Sequence, residues 1–156
     1  MIIRRATHKD ATALSQFNQN SAFETEDMRI TPEVADAGVK TMIENPQMGF
    51  YLVAETEGKI AAALMTTTEW SDWRNGLFWW IQSVYVLPEF RRQGLYRKLY
   101  EEVRRLAENE IDVCGFRLYV EHDNLTAQKT YQSLGMEETH YKLYEELKSG
   151  TEFCED

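Results

Sequence analysis

The residues whose types and spacing best suit chemistry lie between Val84 and Tyr96, in the run Val-Tyr-Val-Leu-Pro-Glu-Phe-Arg-Arg-Gln-Gly-Leu-Tyr. An apolar, β-rich stretch meets a proline turn, then a polar loop that opens directly into an amphipathic pattern. The start of a helix offers backbone N–H groups that have no intrahelical acceptor, at the positive end of the dipole. That is a seat for phosphate. Gly94 has no side chain, so phosphates can approach the backbone closely. Residues 91–105 carry six basic and two acidic side chains, a local excess within a chain of net charge −9. By themselves Arg97, Lys98, Arg104 and Arg105 read as a solvated helix face. Strand, loop and helix start together point to phosphate held by Arg91, Arg92, Gln93, Gly94, Leu95 and Tyr96. No Gly-Lys-Ser or Gly-Lys-Thr follows, so the loop is not a P-loop.

A second chemistry is available to Trp70 and Trp73, on a turn-rich segment from Glu69 to Gly76. Indole faces attract ammonium groups while offering apolar surface to the rest of a ligand. Trp79 and Trp80 follow in a strand-like run, where one of two neighbours must face the core. Glu24, with Glu26 and Asp27, could draw a cationic amine toward the same region. A solvated acidic turn accounts for those three carboxylates equally well.

The elements that must position these residues follow from periodicity and punctuation. Ile2 to Ala6 reads as a strand, and Thr7 as an N-cap with Asp10 three residues on. Ala11, Leu14 and Phe17 recur at helical spacing, so a first helix runs from His8 to about Asn18. Thr31-Pro32-Glu33 opens a second helix, which ends before Asn45-Pro46. Phe50 to Thr56 and Lys59 to Thr68 form a hairpin about Glu57-Gly58, and Leu77 to Val86 is a further strand. Tyr96, Leu99, Tyr100, Val103, Leu106 and Ala107 mark the amphipathic helix after the phosphate loop. Gly115 to Glu121 reads as a strand and Thr126 to Leu134 as a helix capped by Gly135. Thr139 to Leu147 gives a last strand. The order implies a mixed α/β sheet with helices on both faces. No repeat or linker interrupts it, so residues 1–148 read as one domain and 149–156 as a short, frayed acidic tail.

The stretch from Val84 to Tyr96 resembles the acyl-coenzyme A motif of the GNAT superfamily of N-acetyltransferases. That motif is V-x-V-x-P, then Arg or Gln, two residues, Gly, one residue, and Gly or Ala. Val84, Val86, Pro88, Arg91 and Gly94 match, while Tyr96 stands where a small residue is usual. A second match, Asn124-x-x-Ala127-x-x-x-Tyr131-x-x-Leu134-Gly135, follows in order. The resemblance implies a splayed sheet in which pantetheine pairs with the backbone of Val84 and Val86. It also implies acetyl-coenzyme A as cosubstrate, Asn124 against the pantetheine arm, and Tyr131 protonating the departing thiolate. A neutral amine would attack directly, with no protein nucleophile and no metal. The acceptor would lie near Trp70, Trp73 and Glu24. The Trp-x-x-Trp-x-x-Gly segment and the Tyr85–Arg91 run also resemble diamine and polyamine acetyltransferases. Their adjacent acids before the strand end are replaced by Gln82-Ser83, which favours a monoamine or amino-acid-like acceptor.

At 156 residues the chain has room for one ordinary core. Asp and Glu number 26 against 17 Lys and Arg. Such an acidic surface argues against nucleic acid and anionic membranes as partners. Cys114 and Cys154 have no metal or disulfide spacing, and Cys114 reads as a small buried residue beside a strand. With no signal-like N-terminus or long apolar run, a cytoplasmic location is expected. A homodimer is compatible with the sequence. The competing reading is a non-catalytic module that binds acyl-coenzyme A, with Tyr131 only a packing residue.

Overall fold

Strand-forming residues alternate between two covered sides over much of 49–66 and 76–86, and they pair as three antiparallel strands. In the computed structural model, which describes residues 1–155, these are β2 (Gly49–Thr56), β3 (Lys59–Ser71) and β4 (Gly76–Val86). β1 (Ile2–Arg5) pairs antiparallel with β2, and β5 (Val113–Arg117) runs parallel to β4. The sheet is therefore mixed and ordered β1-β2-β3-β4-β5.

Helices α1 (Ala11–Glu26) and α2 (Pro32–Glu44) cover one face. Leu14, Phe17, Val39 and Met42 pack there on Tyr51, Val53, Ala63 and Tyr85. The alternate residues Leu52, Ala54, Ala62 and Leu64 are buried on the other face. There α3 (Leu95–Ala107) brings Leu99, Tyr100 and Val103, all but fully buried, against the sheet. At the entry to α1, Thr7 N–H donates to Asp10 Oδ2 at 2.7 Å. Arg4 on β1 grips Asp10 through both guanidinium nitrogens at 2.8 and 2.9 Å and reaches Glu55 on β2.

The chain divides into two compact units. One is Met1–Arg117 together with the chain from Phe153 onward, and the other is Leu118–Glu152. Backbone contacts tie Phe153, Cys154 and Glu155 into the first unit. Ile30 and Cys154 form a β-bridge, Thr31 N–H donates to Phe153 O at 2.9 Å, and Glu155 N–H donates to Arg29 O at 2.7 Å. Apolar patterning does not register such a contact, which explains the expectation of a frayed end. The second unit holds α4 (Leu125–Ser133), closed by Gly135 with φ 92.

Three elements depart from the periodicity. α1 continues to Glu26, well past Asn18; its last turn is exposed, but Glu24 there accepts from Tyr85 on the sheet. The strand expected at Gly115 begins at Val113 and stops at Arg117. Cys114 is exposed on it, because β5 is the outermost strand. Residues 139–147 form no strand. Tyr141, Leu143, Tyr144 and Leu147 are exposed there, and the adjacent Leu143 and Tyr144 would need cover on both faces of a strand. A unit as short as Leu118–Glu152 has little apolar volume to supply it. No helix among the described residues is long and apolar enough to cross a membrane.

Candidate functional site

β4 does more than fill the sheet. Its ladder with β5 covers only Leu77 to Trp80, while its ladder with β3 continues to Val86. Within that extension Gln82 opposes Met65 and Tyr85 opposes Ala63, so Ser83 and Val84 together face Leu64. This is a β-bulge, and Ser83 carries the positive φ of 50 that makes it. Past the bulge, Leu87 N–H donates to Ala61 O at 2.9 Å, which fixes the parity of the strand end. Tyr85 shares that parity and turns its backbone toward β3. Val84 and Val86 turn theirs to the opposite edge, beyond the point where the β5 ladder stops. A strand-like chain could pair there.

The loop that follows is shaped for an anion. A 3-10 turn (Pro88–Phe90) leads to Arg91, then Arg92 at φ 61 and Gly94 at φ 74, and α3 begins at Leu95. Gly94 is the N-cap, so no side-chain oxygen occupies the first-turn amides. A Cβ placed on Gly94 meets no atom within 4 Å, which leaves room for a group larger than water. Arg92 makes no side-chain hydrogen bond among the described residues and can turn toward that space. Gln93 donates instead to Glu89 O at 3.2 Å. Tyr96 stacks on Tyr100 with ring centroids 6.2 Å apart, which is how a large residue fits where the motif has a small one. These features suit a diphosphate followed by an extended amide-bearing arm, as coenzyme A has.

The structure brings Glu24 and Arg91 together across 67 positions of sequence. Arg91 Nη2 donates to Glu24 Oε2 at 2.8 Å and Arg91 Nε to Val86 O at 2.9 Å. Tyr85 OH donates to Glu24 Oε1 at 2.8 Å. Burial pushes the Glu24 carboxyl up, but the hydrogen bonds from Arg91 and Tyr85 and the Arg91 charge hold it below the usual range. Burial, reinforced by Glu24, raises the Tyr85 phenol. Tyr85 is a residue that the motif reading missed. The available signal was its place between Val84 and Val86, which alternation turns toward α1.

The tryptophans stand elsewhere. Trp70 lies on β3 opposite Leu77 and is 57% exposed, and Trp73 sits on the β3–β4 turn at 83%. Leu77 and Val84 stand seven positions apart along the strand, about 20 Å. The expected loop is thus the far end of a long hairpin, which does not bring Trp70 and Trp73 to the bulge. Trp79 is buried at 6% against Phe50, and Trp80 Nε1 donates to Glu69 Oε1 at 3.2 Å.

Asn124 and Tyr131 belong to the second unit. Asn124 caps α4, its Oδ1 accepting from Ala127 N–H at 3.2 Å, so its amide NH2 is the group it could offer a ligand. Burial pushes the Tyr131 phenol up. Glu121 accepts from Asp123 N–H at 2.9 Å, in a turn before α4.

The family model described as acetyltransferase (GNAT) family matches residues 12–136. A solved structure of a possible acetyltransferase from Clostridium difficile 630 is 41% identical, covers 94% of this chain and 96% of its own, and superposes with a TM-score of 0.87. A predicted acetyltransferase from Clostridium acetobutylicum, solved with acetyl-CoA, shares the fold at 16% identity and TM-score 0.77, covering 93% and 95% of the two chains. AAC(6')-Iy, solved with the bisubstrate analogue CoA-S-monomethyl-acetylneamine, shares it at 16% identity and TM-score 0.75, covering 94% and 97%. No protein of curated function matches the sequence.

Proposed function

Because the chain belongs to the acetyltransferase (GNAT) family, we propose that it moves the acetyl group of acetyl-coenzyme A to the primary amine of a small molecule, with both substrates bound at once. The observation that carries this reading is the end of β4. There a bulge and a lapsed β5 ladder turn the backbone of Val84 and Val86 outward, immediately before an uncapped helix start at Gly94.

Each group in the chain has a task that its chemistry suits. The thioester supplies an activated acyl group. Val84 and Val86 pair with the pantetheine arm as one strand pairs with another. The amides from Arg91 to Tyr96, with the Arg92 guanidinium, hold the diphosphate. Asn124 contributes its amide NH2 to the arm. Tyr131 gives its proton to the departing thiolate, and its raised phenol keeps that proton in place at neutral pH.

Glu24, rather than the distant Trp70 and Trp73, receives the ammonium of the acceptor and passes its proton on to water, so that the neutral amine attacks the thioester carbonyl. The carboxylate lies beside β4 on the α1 side, next to the strand that would hold the acyl arm. The fold relative solved with a coenzyme A–acetylneamine analogue supports a small amine as acceptor. The test is thiol release from acetyl-coenzyme A across a panel of monoamines, diamines, polyamines and histone-like peptides. Small amines should be the best acceptors. Peptides as the best substrates would overturn the acceptor class, and no thiol release with any amine would overturn the reaction.

A further inference from the structure

One side chain joins the cofactor loop to the acceptor side. Arg91 rises from the loop but turns back along β4, so its guanidinium lies at the Val86 carbonyl and against Glu24. Glu24 is itself held from a second direction by the Tyr85 hydroxyl. We propose that Arg91 is a latch, drawn by Glu24 over the Val86 carbonyl, that the diphosphate of coenzyme A opens and thereby hands Glu24 to the acceptor amine. This inference rests on the acetyl-transfer reading above.

The geometry supports it at three points. First, Val86 O faces the edge where a pantetheine amide would pair, and a guanidinium plane 2.9 Å away takes the place of such a chain. Second, Arg91 is the first residue of the anion loop. A rotation about its own side-chain bonds therefore carries the cation from one carboxylate to a group of higher charge, which a guanidinium grips better. The Arg91 and Glu24 side chains are 45% and 40% exposed, so the pair is weak enough to exchange. Third, departure of Arg91 removes the cation that lowers the Glu24 carboxyl but leaves the burial that raises it. The carboxylate left behind is more basic and still anchored by Tyr85, which suits it to take an ammonium. Coenzyme A and amine would then favour each other's binding by the same factor.

The experiment is a double-mutant cycle on coenzyme A affinity, read by calorimetry on wild type, Glu24→Gln, Arg91→Met and the double variant. Glu24→Gln should tighten coenzyme A about threefold to fivefold, the scale of one partly exposed ion pair. The same change made in Arg91→Met should do nothing, because the latch is already absent. Tyr85→Phe, which loosens Glu24 without touching its charge, should tighten binding by a smaller factor. An equal gain from Glu24→Gln with and without Arg91 would show plain charge repulsion and overturn the latch. So would unchanged or weaker binding by Glu24→Gln. Either result would leave acetyl transfer standing. Wild type that binds no coenzyme A would remove both readings.

Discussion

Gly94→Gln and Gly94→Glu isolate the charge at the proposed diphosphate seat, because the two variants share shape and strain. Gly94 has φ 74, a left-handed conformation that costs a residue with a Cβ about 1–2 kcal/mol. No atom lies within 4 Å of the added Cβ, so no clash is superimposed on that strain. Each 1 kcal/mol lowers Tm by about 2–4 °C in a domain of this size. Both variants should therefore fold and melt about 2–8 °C below wild type. They differ only in a negative charge beside the start of α3. A unit charge about 4 Å from a phosphate oxygen is repelled by about 4 kcal/mol at an effective dielectric constant of 20. An exposed side chain can swing outward and relieve about half of that. Gly94→Glu should thus bind coenzyme A about 30-fold more weakly than Gly94→Gln, since about 1.4 kcal/mol is tenfold. Calorimetry at constant ionic strength reads the ratio directly. A folded Gly94→Glu that binds coenzyme A as tightly as Gly94→Gln would refute the placement of the diphosphate at this helix start.

Three further outcomes are expected. Tyr131→Phe should leave coenzyme A affinity unchanged and lower kcat about a hundredfold or more in pre-steady-state assays of thiol release; full single-turnover rates would make Tyr131 a packing residue. Arg4→Met strips Asp10, 4% exposed, of its cation. Such a loss costs about 3–5 kcal/mol for a fully buried pair, and about 2–3 kcal/mol here because the Arg4 side chain is 34% exposed. The Arg4 hydrogen bonds hold the Asp10 carboxyl below its ordinary 3.8 against the pull of burial. Its contribution is therefore complete above that value and fades as the pH falls toward the folded one. Urea titrations should show the gap between wild type and Arg4→Met closing below about pH 4. Trp73→Ala should leave kcat/KM for the amine panel within about twofold, as expected of a turn about 20 Å of strand from the bulge; a larger loss would return the acceptor to the hairpin tip.

The parts of the fold that were legible in the sequence are those written in local patterns. The α2 limits follow from Thr31-Pro32 and Asn45-Pro46, and they recur in the structure as Pro32–Glu44. The Glu57-Gly58 hairpin, with φ of 52 and 75, is equally local. Gly94 and the helix behind it were readable because a glycine set directly before an amphipathic run marks a helix start within a few residues of chain. What was not legible depends on partners distant in sequence. The last two turns of α1 look like a solvated end until Tyr85 from the sheet and Arg91 from the loop after it meet Glu24. The strand pattern at residues 139–147 is real as a pattern, but alternation creates a strand only where a neighbouring ladder accepts it. The position of Trp70 and Trp73, at the hairpin tip rather than beside the bulge, was hidden for a related reason. A turn-rich composition marks the turn itself, whereas the length of the strands on either side decides how far that turn stands from the bulge.

The division between the two halves of the site follows from the same physics. A cofactor held by backbone groups needs only a strand end, a bulge and a helix start in succession, and all three lie within one continuous stretch of chain. Their geometry is dictated by residue type, so the motif carries the site with it. In the proposed acceptor site, by contrast, side chains converge from separate elements, Glu24 from α1, Tyr85 from β4 and Arg91 from the loop. No spacing rule links position 24 to position 91. The three-residue cluster also explains how an exposed carboxylate on a chain of net charge −9 could stay available to a cation without a fixed counterion. Arg91 neutralises Glu24 in this structure, and the ligand that draws Arg91 away is itself an anion. Acceptor preference should therefore respond to substitutions at Glu24 and Tyr85, which change coenzyme A affinity only severalfold through Arg91, while the larger losses of coenzyme A affinity should come from the helix start at Gly94.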